Sequence, residues 1–185
     1  AGTRASLGEQ GERVERALAQ ALALPRSATP WHTQRDRLLE LASWYAGLTG
    51  SLGKLARDMS LLMQTEVAEI SEPSAPGRGG SSTMPHKRNP VLCAAILSAA
   101  NRLPALMSGL YAGLVQEHER ALGGWQAEWQ SLPQLLVLSG AALAQSLDLI
   151  NGLEVHEAAM RRNLALTQGL IMAESVTLAL APTLG

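Results

Sequence analysis

The longest regular pattern in the chain is an apolar stripe in its second quarter. Its members alternate steps of three and four residues: Leu38, Leu41, Tyr45, Leu48, Leu52, Leu55, Met59 and Leu62. This spacing predicts a helix packed nearly parallel to its neighbours. No proline interrupts between Thr33, a candidate N-cap, and Glu72, so the helix could run about 38 residues, or roughly 57 Å. A compact chain of this length is only about 40 Å across. The helix therefore either bends or belongs to a larger elongated assembly.

Shorter apolar patterns predict helices on both sides of this stripe. A capping-box pattern at residues 6–9 begins a first helix, which Pro25 stops. A third helix begins with Asn89 as N-cap and Pro90 at its first position, and is kinked at Pro104.

Three further helices complete the predicted set. One runs from Trp125 to Ile150 with a bend at Pro133, and two shorter ones lie near 156–165 and 168–181. Strand-like alternation is nearly absent, so the pattern predicts an all-α fold. No internal repeat is present, and residues 1–185 are interpreted as one helical-bundle domain.

Three glycines at positions 47, 50 and 53 interrupt the long predicted helix. Each costs up to about 1 kcal/mol relative to alanine. Two interpretations stay open: neighbouring backbones approach closely at these positions, or the helix is locally weak there.

Composition excludes several classes of function. The chain is 46% hydrophobic with a formal net charge of -1, so no electrostatic case exists for nucleic acid or an anionic membrane. The apolar runs look too short and too often broken to span a bilayer, and no leader-like segment opens the chain. One cysteine excludes an internal disulfide, and four scattered histidines predict no metal site. A cytoplasmic protein is the expectation.

The chemistry concentrates in a loop spanning residues 72–89. Its end reads RGGSSTMPHKRNP and feeds directly into the third predicted helix. Free backbone N–H groups and the helix dipole favour an anion at such a terminus. Lys87, Arg88 and His86 add cationic donors, and Asn89 adds an amide. Ser81, Ser82 and Thr83 supply hydroxyl donors or a proton acceptor.

Two familiar loop motifs do not fit this segment. A phosphate-binding P-loop needs a glycine before the lysine and a hydroxyl after it, and Lys87 has neither. The hydrolase elbow needs glycine where Thr83 stands. The residues alone leave two interpretations open: an anion-binding active-site loop, or a solvated linker.

The segment GSSTMPHKRNP resembles the signature loop of the fumarase/aspartase superfamily, whose pattern is G-S-S-x-M-P-x-K-x-N-P. Within that superfamily, four other stretches resemble the bacterial 3-carboxy-cis,cis-muconate cycloisomerases: WHTQRDR, SLLMQTEVAE, QEHERALGGWQAEW and RRNLALTQGLIMAE. The likeness covers essentially the whole chain. It implies near-parallel helices of a homotetramer's central bundle, active sites shared between subunits, and further chain beyond both ends.

The resemblance also implies roles for particular residues. Ser81 matches the base that handles the Cα proton, with Ser82 as the alternative. Lys87 and Asn89 match residues that hold the substrate carboxylate and the developing aci-carboxylate. Met84 lies against the substrate, and Arg120 matches an arginine that contacts the anionic substrate.

The implied reaction is the addition of a substrate carboxylate across its own double bond to form a lactone, as in protocatechuate catabolism. It requires a small polycarboxylate substrate and no metal or organic cofactor. One rival is β-elimination of the adenylosuccinate-lyase type, but Ala94 stands where those enzymes carry a glutamate. A second rival is a non-catalytic helical assembly module.

Three other residues carry alternative interpretations. His118 faces the site or belongs to a surface salt network. Trp125 shares a helix face with Trp129, which favours packing over substrate stacking. Cys93 is expected to be a small buried side chain rather than a reactive thiol.

Overall fold

The computed structural model describes residues 4–74, 77, 79–80, 83–84 and 87–184. Six α-helices lie in this part of the chain, and they confirm the all-α prediction. They are α1 (Gly11–Ala21), α2 (Asp36–Leu62), α3 (Val91–Ala112), α4 (Gly124–Asn151), α5 (Glu157–Ala165) and α6 (Ala173–Leu184). Short 3-10 helices span Ala5–Gln10 and Leu170–Met172.

The chain divides into two compact units. Unit 1 comprises Ala1–Leu48 and Arg102–Ser139, and unit 2 comprises Thr49–Asn101 and Gly140–Gly185. Helices α2, α3 and α4 each contribute residues to both units.

Unit 1 is built on a cluster of aliphatic side chains from α2, α3 and α4. The buried members are Ala42, Leu103, Leu106, Met107, Leu110 and Leu135. On α3 the buried positions 103, 106, 107 and 110 recur at helical spacing, so they lie on one face of that helix. In unit 2, the fully buried side chains include Cys93 and Ile96 of α3 and Leu149 of α4.

Unit 2 contains two short strands that the sequence patterns did not reveal. Strands β1 (Ile70–Ser71) and β2 (Glu154–Val155) pair antiparallel, with Ser71 opposite Glu154. The His156 N–H donates to the Glu69 carbonyl at 2.8 Å and extends the pairing. Two-residue strands are too short to show alternation, which is why pattern analysis missed them.

The prediction that the second helix continues to Glu72 is wrong. Helix α2 ends at Leu62 and has 27 residues, or about 40 Å. A turn follows the helix, and it is closed by a hydrogen bond of 3.0 Å from the Glu69 N–H to the Leu62 carbonyl. Ala68 in this turn has a φ of 51°. The chain leaves the helix because residues 70–71 pair with β2. The helix length therefore no longer argues for a larger assembly.

Two predicted caps are also wrong. Ser6 lies inside a 3-10 helix whose Gly8 is non-helical, and no side chain caps that helix. Thr33 precedes α2 by three residues and donates its hydroxyl to the His118 carbonyl at 2.6 Å. The hydroxyl meets a carbonyl distant in sequence instead of a nearby helix N–H.

The membrane prediction needs a correction as well. By length and composition alone, α3 and α4 are each apolar enough to cross a bilayer, and the bent pair formed by α5 and the segment 170–183 would be a third candidate. The prediction that every apolar run is too short to span a bilayer is therefore wrong by length and composition.

Candidate functional site

The signature loop is described only in part. Ser81, Ser82 and His86 lie outside the described residues, so the predicted base and its alternative are not located. Thr83, Met84 and Lys87 are exposed, with Met84 43% exposed. Asn89 is half-buried at the end of the loop.

The loop closes on itself just before α3. The Asn89 N–H donates to the Gly79 carbonyl at 2.8 Å, and the Lys87 N–H donates to the Met84 carbonyl at 3.0 Å. Gly79 has φ +75°, and a Cβ there would stand 3.1 Å from the Asn89 carbonyl oxygen. Glycine is therefore required at this position by both conformation and space. These bonds hold Lys87 and Asn89 in one short segment.

The first turn of α3 is not open to an anion. The Glu72 carboxylate accepts the Leu92 N–H at 2.9 Å and the Cys93 N–H at 2.8 Å. The Val91 N–H is bonded to the Asn89 carbonyl. Glu72 is only 5% exposed, so the protein's own carboxylate occupies the positive end of the helix dipole. The prediction of free N–H groups for a substrate anion is wrong here.

The helix boundary also differs from the prediction. Helix α3 begins at Val91, and the Ala94 N–H donates to the Pro90 carbonyl at 2.9 Å. Pro90 thus holds the N-cap position rather than the first helical position, and Glu72 supplies the capping side chain that Asn89 was expected to supply.

Arg88 is committed to partners within unit 2. Its guanidinium donates to both Glu154 carboxylate oxygens, at 2.8 and 3.2 Å, and to the Glu72 carbonyl at 2.7 Å. The hydrogen bond from Arg88 holds the pKa of Glu154 below its ordinary value. The expectation that Arg88 is a cationic donor for a bound anion is therefore wrong. Lys87 remains the predicted cation of this segment.

Cys93 lies beneath this network and is fully buried. Burial, together with a hydrogen bond to Glu72, raises the pKa of the thiol to about 12. A thiol with such a pKa is protonated at neutral pH and is a poor nucleophile. The prediction of a structural cysteine is confirmed.

The strands at the base of the loop carry a second polar network. Ser71 Oγ lies 2.9 Å from His156 Nε2, and the Asn163 side chain donates to the Val67 carbonyl and to Glu69 Oε1. Each bond joins residues more than 80 positions apart, so no local pattern could have predicted it. The network fixes the point where the loop leaves β1.

Arg120 and His118 lie in unit 1, whereas the described loop residues lie in unit 2. Both side chains are exposed, and His118 has φ 48°. The Glu117 carboxylate accepts hydrogen bonds from the Glu117 backbone N–H and from the Leu122 N–H. These bonds hold the pKa of Glu117 below its ordinary value, and the charge of His118 adds a smaller effect in the same direction. The two interpretations of His118, a role in the site and a place in a surface salt network, both stay predictions.

The aromatic side chains of unit 1 pack against one another. Trp125 and Trp129 meet edge-to-face with ring centroids 5.0 Å apart, and His32 contacts Trp125 in the same way at 4.6 Å. The packing role predicted for the two tryptophans is confirmed.

Sequence reasoning missed the ion pair beside this aromatic cluster. Arg35 binds both oxygens of Glu128, with Nε 2.9 Å from Oε2, and donates to the His32 carbonyl at 3.1 Å. The only local signal was the charged run at 35–37, which does not identify a partner 93 residues away.

A cavity of about 400 Å³ also lies in unit 1. Its wall includes Leu7, Val14, Trp31, His32 and Arg35. The two guanidinium groups in this wall, those of Arg35 and Arg4, are already paired with Glu128 and Glu15, so the cavity offers little free positive charge for a polycarboxylate. In the described ranges, no three His, Cys, Asp or Glu side chains form a group that could hold a metal ion.

Comparisons with known proteins agree with the loop motif. A family model described as lyase matches residues 1–104. The chain is 56% identical over 184 residues to 3-carboxy-cis,cis-muconate cycloisomerase of Acinetobacter baylyi, and 57% identical over 184 residues to the enzyme of that name from Pseudomonas aeruginosa. The crystal structure of 3-carboxy-cis,cis-muconate lactonizing enzyme from Pseudomonas putida superposes with a TM-score of 0.87 at 52% identity.

These matches cover all of this chain but only part of each relative. The chain spans 41% of the Acinetobacter protein, 40% of the Pseudomonas aeruginosa protein and 40% of the crystallised chain.

Proposed function

This chain belongs to the lyase family, and we propose that its full-length protein interconverts 3-carboxy-cis,cis-muconate and 4-carboxymuconolactone. One observation carries the proposal: the chain keeps 56–57% identity, over its whole length, to relatives that bear the cycloisomerase name. We place the reaction in protocatechuate catabolism.

The chemistry is an intramolecular addition. A substrate carboxylate oxygen forms a bond to the β-carbon of the substrate's double bond, and the π electrons move towards the neighbouring carboxylate. The resulting enediolate-like anion then accepts a proton at Cα. In reverse, the Cα proton leaves first and the carboxylate departs from Cβ. Such a path needs a proton carrier and fixed positive charge or N–H donors at the developing anion.

The loop residues supply these groups. We assign Ser81 as the proton carrier, with Ser82 as the alternative. Lys87 is exposed and Asn89 is held by its backbone bond to Gly79, which suits them to bind a carboxylate that enters from solvent. Thr83 and Met84 come shortly before Lys87 in the sequence, and we assign both to substrate contact. Because Glu72 occupies the α3 terminus, the substrate charge falls to side chains rather than to helix N–H groups.

Arg120 and His118 are assigned to substrate binding in a site shared between subunits. A homotetramer fits the exposed apolar stripe of α4, in which Leu136, Leu143, Leu147 and Ile150 are 38–61% exposed. Such a stripe is typical of a helix face covered in an assembly. Light scattering on the full-length protein tests this assignment, and a monomer would refute it.

We also place the protein in the cytoplasm, with no membrane partner. Although α3 is long and apolar enough to span a bilayer, it carries an exposed arginine, Arg102, near its middle. An arginine at the centre of a membrane helix costs about 2.5–3.5 kcal/mol on insertion scales. Helix α4 carries an exposed Gln134 in its central part. Fractionation of cells that express the full-length protein tests this placement.

The activity test compares two substrates. The full-length protein is incubated with 3-carboxy-cis,cis-muconate and with adenylosuccinate, and ultraviolet absorbance is followed. We expect turnover of the muconate. Turnover of adenylosuccinate alone would replace the proposal with the β-elimination rival.

Serine variants then test the base. We expect Ser81→Ala to lower kcat by about 10²–10⁴-fold, the range for loss of a positioned acid or base. Ser82→Ala is the matched control and should have a much smaller effect. The reverse pattern would move the role to Ser82, and undiminished turnover in both variants would favour a different proton carrier.

A further inference from the structure

Glu72 makes two different connections at the base of the signature loop. Its carboxylate accepts the Leu92 and Cys93 N–H groups of α3, and its backbone carbonyl accepts a hydrogen bond from Arg88 at 2.7 Å. One residue at the start of the loop is therefore bonded to the last residues of the loop and to the first turn of the next helix.

Arg88 extends this connection to β2. Its two nitrogens bind the two oxygens of Glu154, which lies opposite Ser71 in the strand pair. A guanidinium bound to a carboxylate in this two-point manner is fixed in orientation as well as in distance. The Arg88 side chain is thus bonded to β2 through Glu154 and to the residue that follows β1 through the Glu72 carbonyl.

The bonds that anchor Arg88 also restrict its two neighbours in the sequence. Lys87 and Asn89 are its immediate neighbours, and both are assigned to the substrate. Neither can shift far without breaking a bond of Arg88 or the Asn89–Gly79 bond. The bonds described here leave residues 87–89 as the fixed end of the loop.

We infer that Arg88 is a positioning residue, which acts through Glu154 and the Glu72 carbonyl to hold Lys87 and Asn89 at the substrate. The inference rests on the proposed function, in which those two side chains bind the reacting carboxylates. The Arg88 side chain donates to Glu154 and to the Glu72 carbonyl, and it is therefore assigned to positioning rather than to substrate contact. A misplacement of substrate-binding groups by about 1 Å can lower the rate about 10²-fold. Loss of the Arg88 anchor is therefore expected to lower the rate by displacing Lys87 and Asn89.

The test is a double-mutant cycle in the full-length enzyme. Arg88→Met removes the anchor, and Glu154→Gln keeps the shape of its partner but removes the charge. We expect each variant to lower kcat by about 10–100-fold with a smaller change in KM. The double variant should lose no more than Arg88→Met alone, because both changes break one connection.

A matched control separates positioning from general damage. Arg161→Met breaks the exposed Arg161–Glu157 pair, which also lies in unit 2. It should keep the parent kcat. An equal loss of kcat in Arg161→Met would overturn the inference.

Hydrogen–deuterium exchange supplies a readout that needs no substrate. The peptide covering residues 87–92 should exchange faster in Arg88→Met and in Glu154→Gln than in the parent or in Arg161→Met. If the parent enzyme does not convert the muconate, the proposed function fails, and the exchange result alone then decides whether the anchor exists.

Two outcomes of the cycle would overturn the inference. If Glu154→Gln keeps the parent kcat, Arg88 does not act through that carboxylate. If the losses of the two single variants multiply in the double variant, the residues act independently. Parent-like exchange in both variants would likewise refute the anchor, and Glu154→Gln decides the matter even if Arg88→Met does not fold.

Discussion

Two arginine–glutamate pairs, one in each compact unit, place the same chemistry in different surroundings. The Arg35 and Glu128 side chains of unit 1 are 14% and 11% exposed, whereas Arg88 and Glu154 of unit 2 are 41% and 42% exposed. Both arginines also donate to a backbone carbonyl. The pairs therefore differ mainly in how much water surrounds them.

Because of this difference in exposure, the two pairs are expected to contribute unequally to the free energy of unfolding. A buried charge left without its partner is strongly unfavourable, so the unit 1 pair is expected to govern stability. An exposed pair contributes little to the free energy of unfolding. The importance proposed for the unit 2 pair comes instead from Arg88, which stands directly between Lys87 and Asn89 in the sequence.

The sharpest way to break the comparison is Glu128→Gln. The change leaves the part-buried Arg35 guanidinium without a countercharge. Removing one partner of a fully buried pair costs about 3–5 kcal/mol, and we expect a loss near the lower end of that range. Urea unfolding of the full-length protein measures the loss. The control is Glu157→Gln, which affects an exposed pair. A loss no larger than in the control would contradict the proposed role of the unit 1 pair.

The second test concerns the buried carboxylate of unit 2. Glu72→Ala leaves the buried Leu92 and Cys93 N–H groups without their acceptor, and each unsatisfied donor costs about 1–3 kcal/mol. Taking the lower part of that range for each of the two donors, we expect a loss of about 2–4 kcal/mol in the free energy of unfolding. Glu66→Ala, in the exposed turn after α2, is the control. Equal losses in the two variants would show that the Glu72 cap is dispensable.

Two glycines of α2 sharpen the comparison between the units. At Gly53 in unit 2, a Cβ would stand 2.7 Å from the Ala100 Cβ, whereas exposed Gly47 in unit 1 has no neighbour within 4 Å. Gly53→Ala should destabilise by about 1–3 kcal/mol through overpacking. Gly47→Ala should stabilise by up to about 1 kcal/mol through helix propensity. Thermal unfolding of both variants measures these changes. A change in stability of the same sign in both variants would contradict the prediction.

The smallest expected effect belongs to the exposed pair itself. Arg88 lowers the pKa of Glu154, so the pair stabilises the folded state above the ordinary pKa of 4.5 and loses that contribution as pH falls through the lowered value. Glu154→Gln should cost about 0.2–1 kcal/mol at neutral pH and nothing in strong acid. The free energy of unfolding of the parent and of Glu154→Gln, measured from neutral pH to strong acid, checks this pH dependence. A difference between the two proteins that grows in acid would refute it.

The candidate site was predictable only in part. The motif predicts Lys87 and Asn89 as site residues, because its members are contiguous in sequence. It did not identify Glu72 as the cap of α3 or Arg88 as an anchor. Both roles depend on which polar group the fold brings next to an unsatisfied N–H group or charge. Asn89, the candidate nearest in sequence, does not cap α3, and Arg88 is bonded to Glu154 and Glu72.

The amino-acid sequence is sufficient to predict the helical fold, since its apolar residues recur at helical rather than strand spacing. It also determined the family, through the order of residues in the signature loop. Only the tertiary structure decided where α2 ends, which carboxylate fills the α3 terminus and which arginine is buried. The physical reason is that periodicity is a local property, whereas the satisfaction of a charge or an N–H group depends on partners that can lie anywhere along the chain.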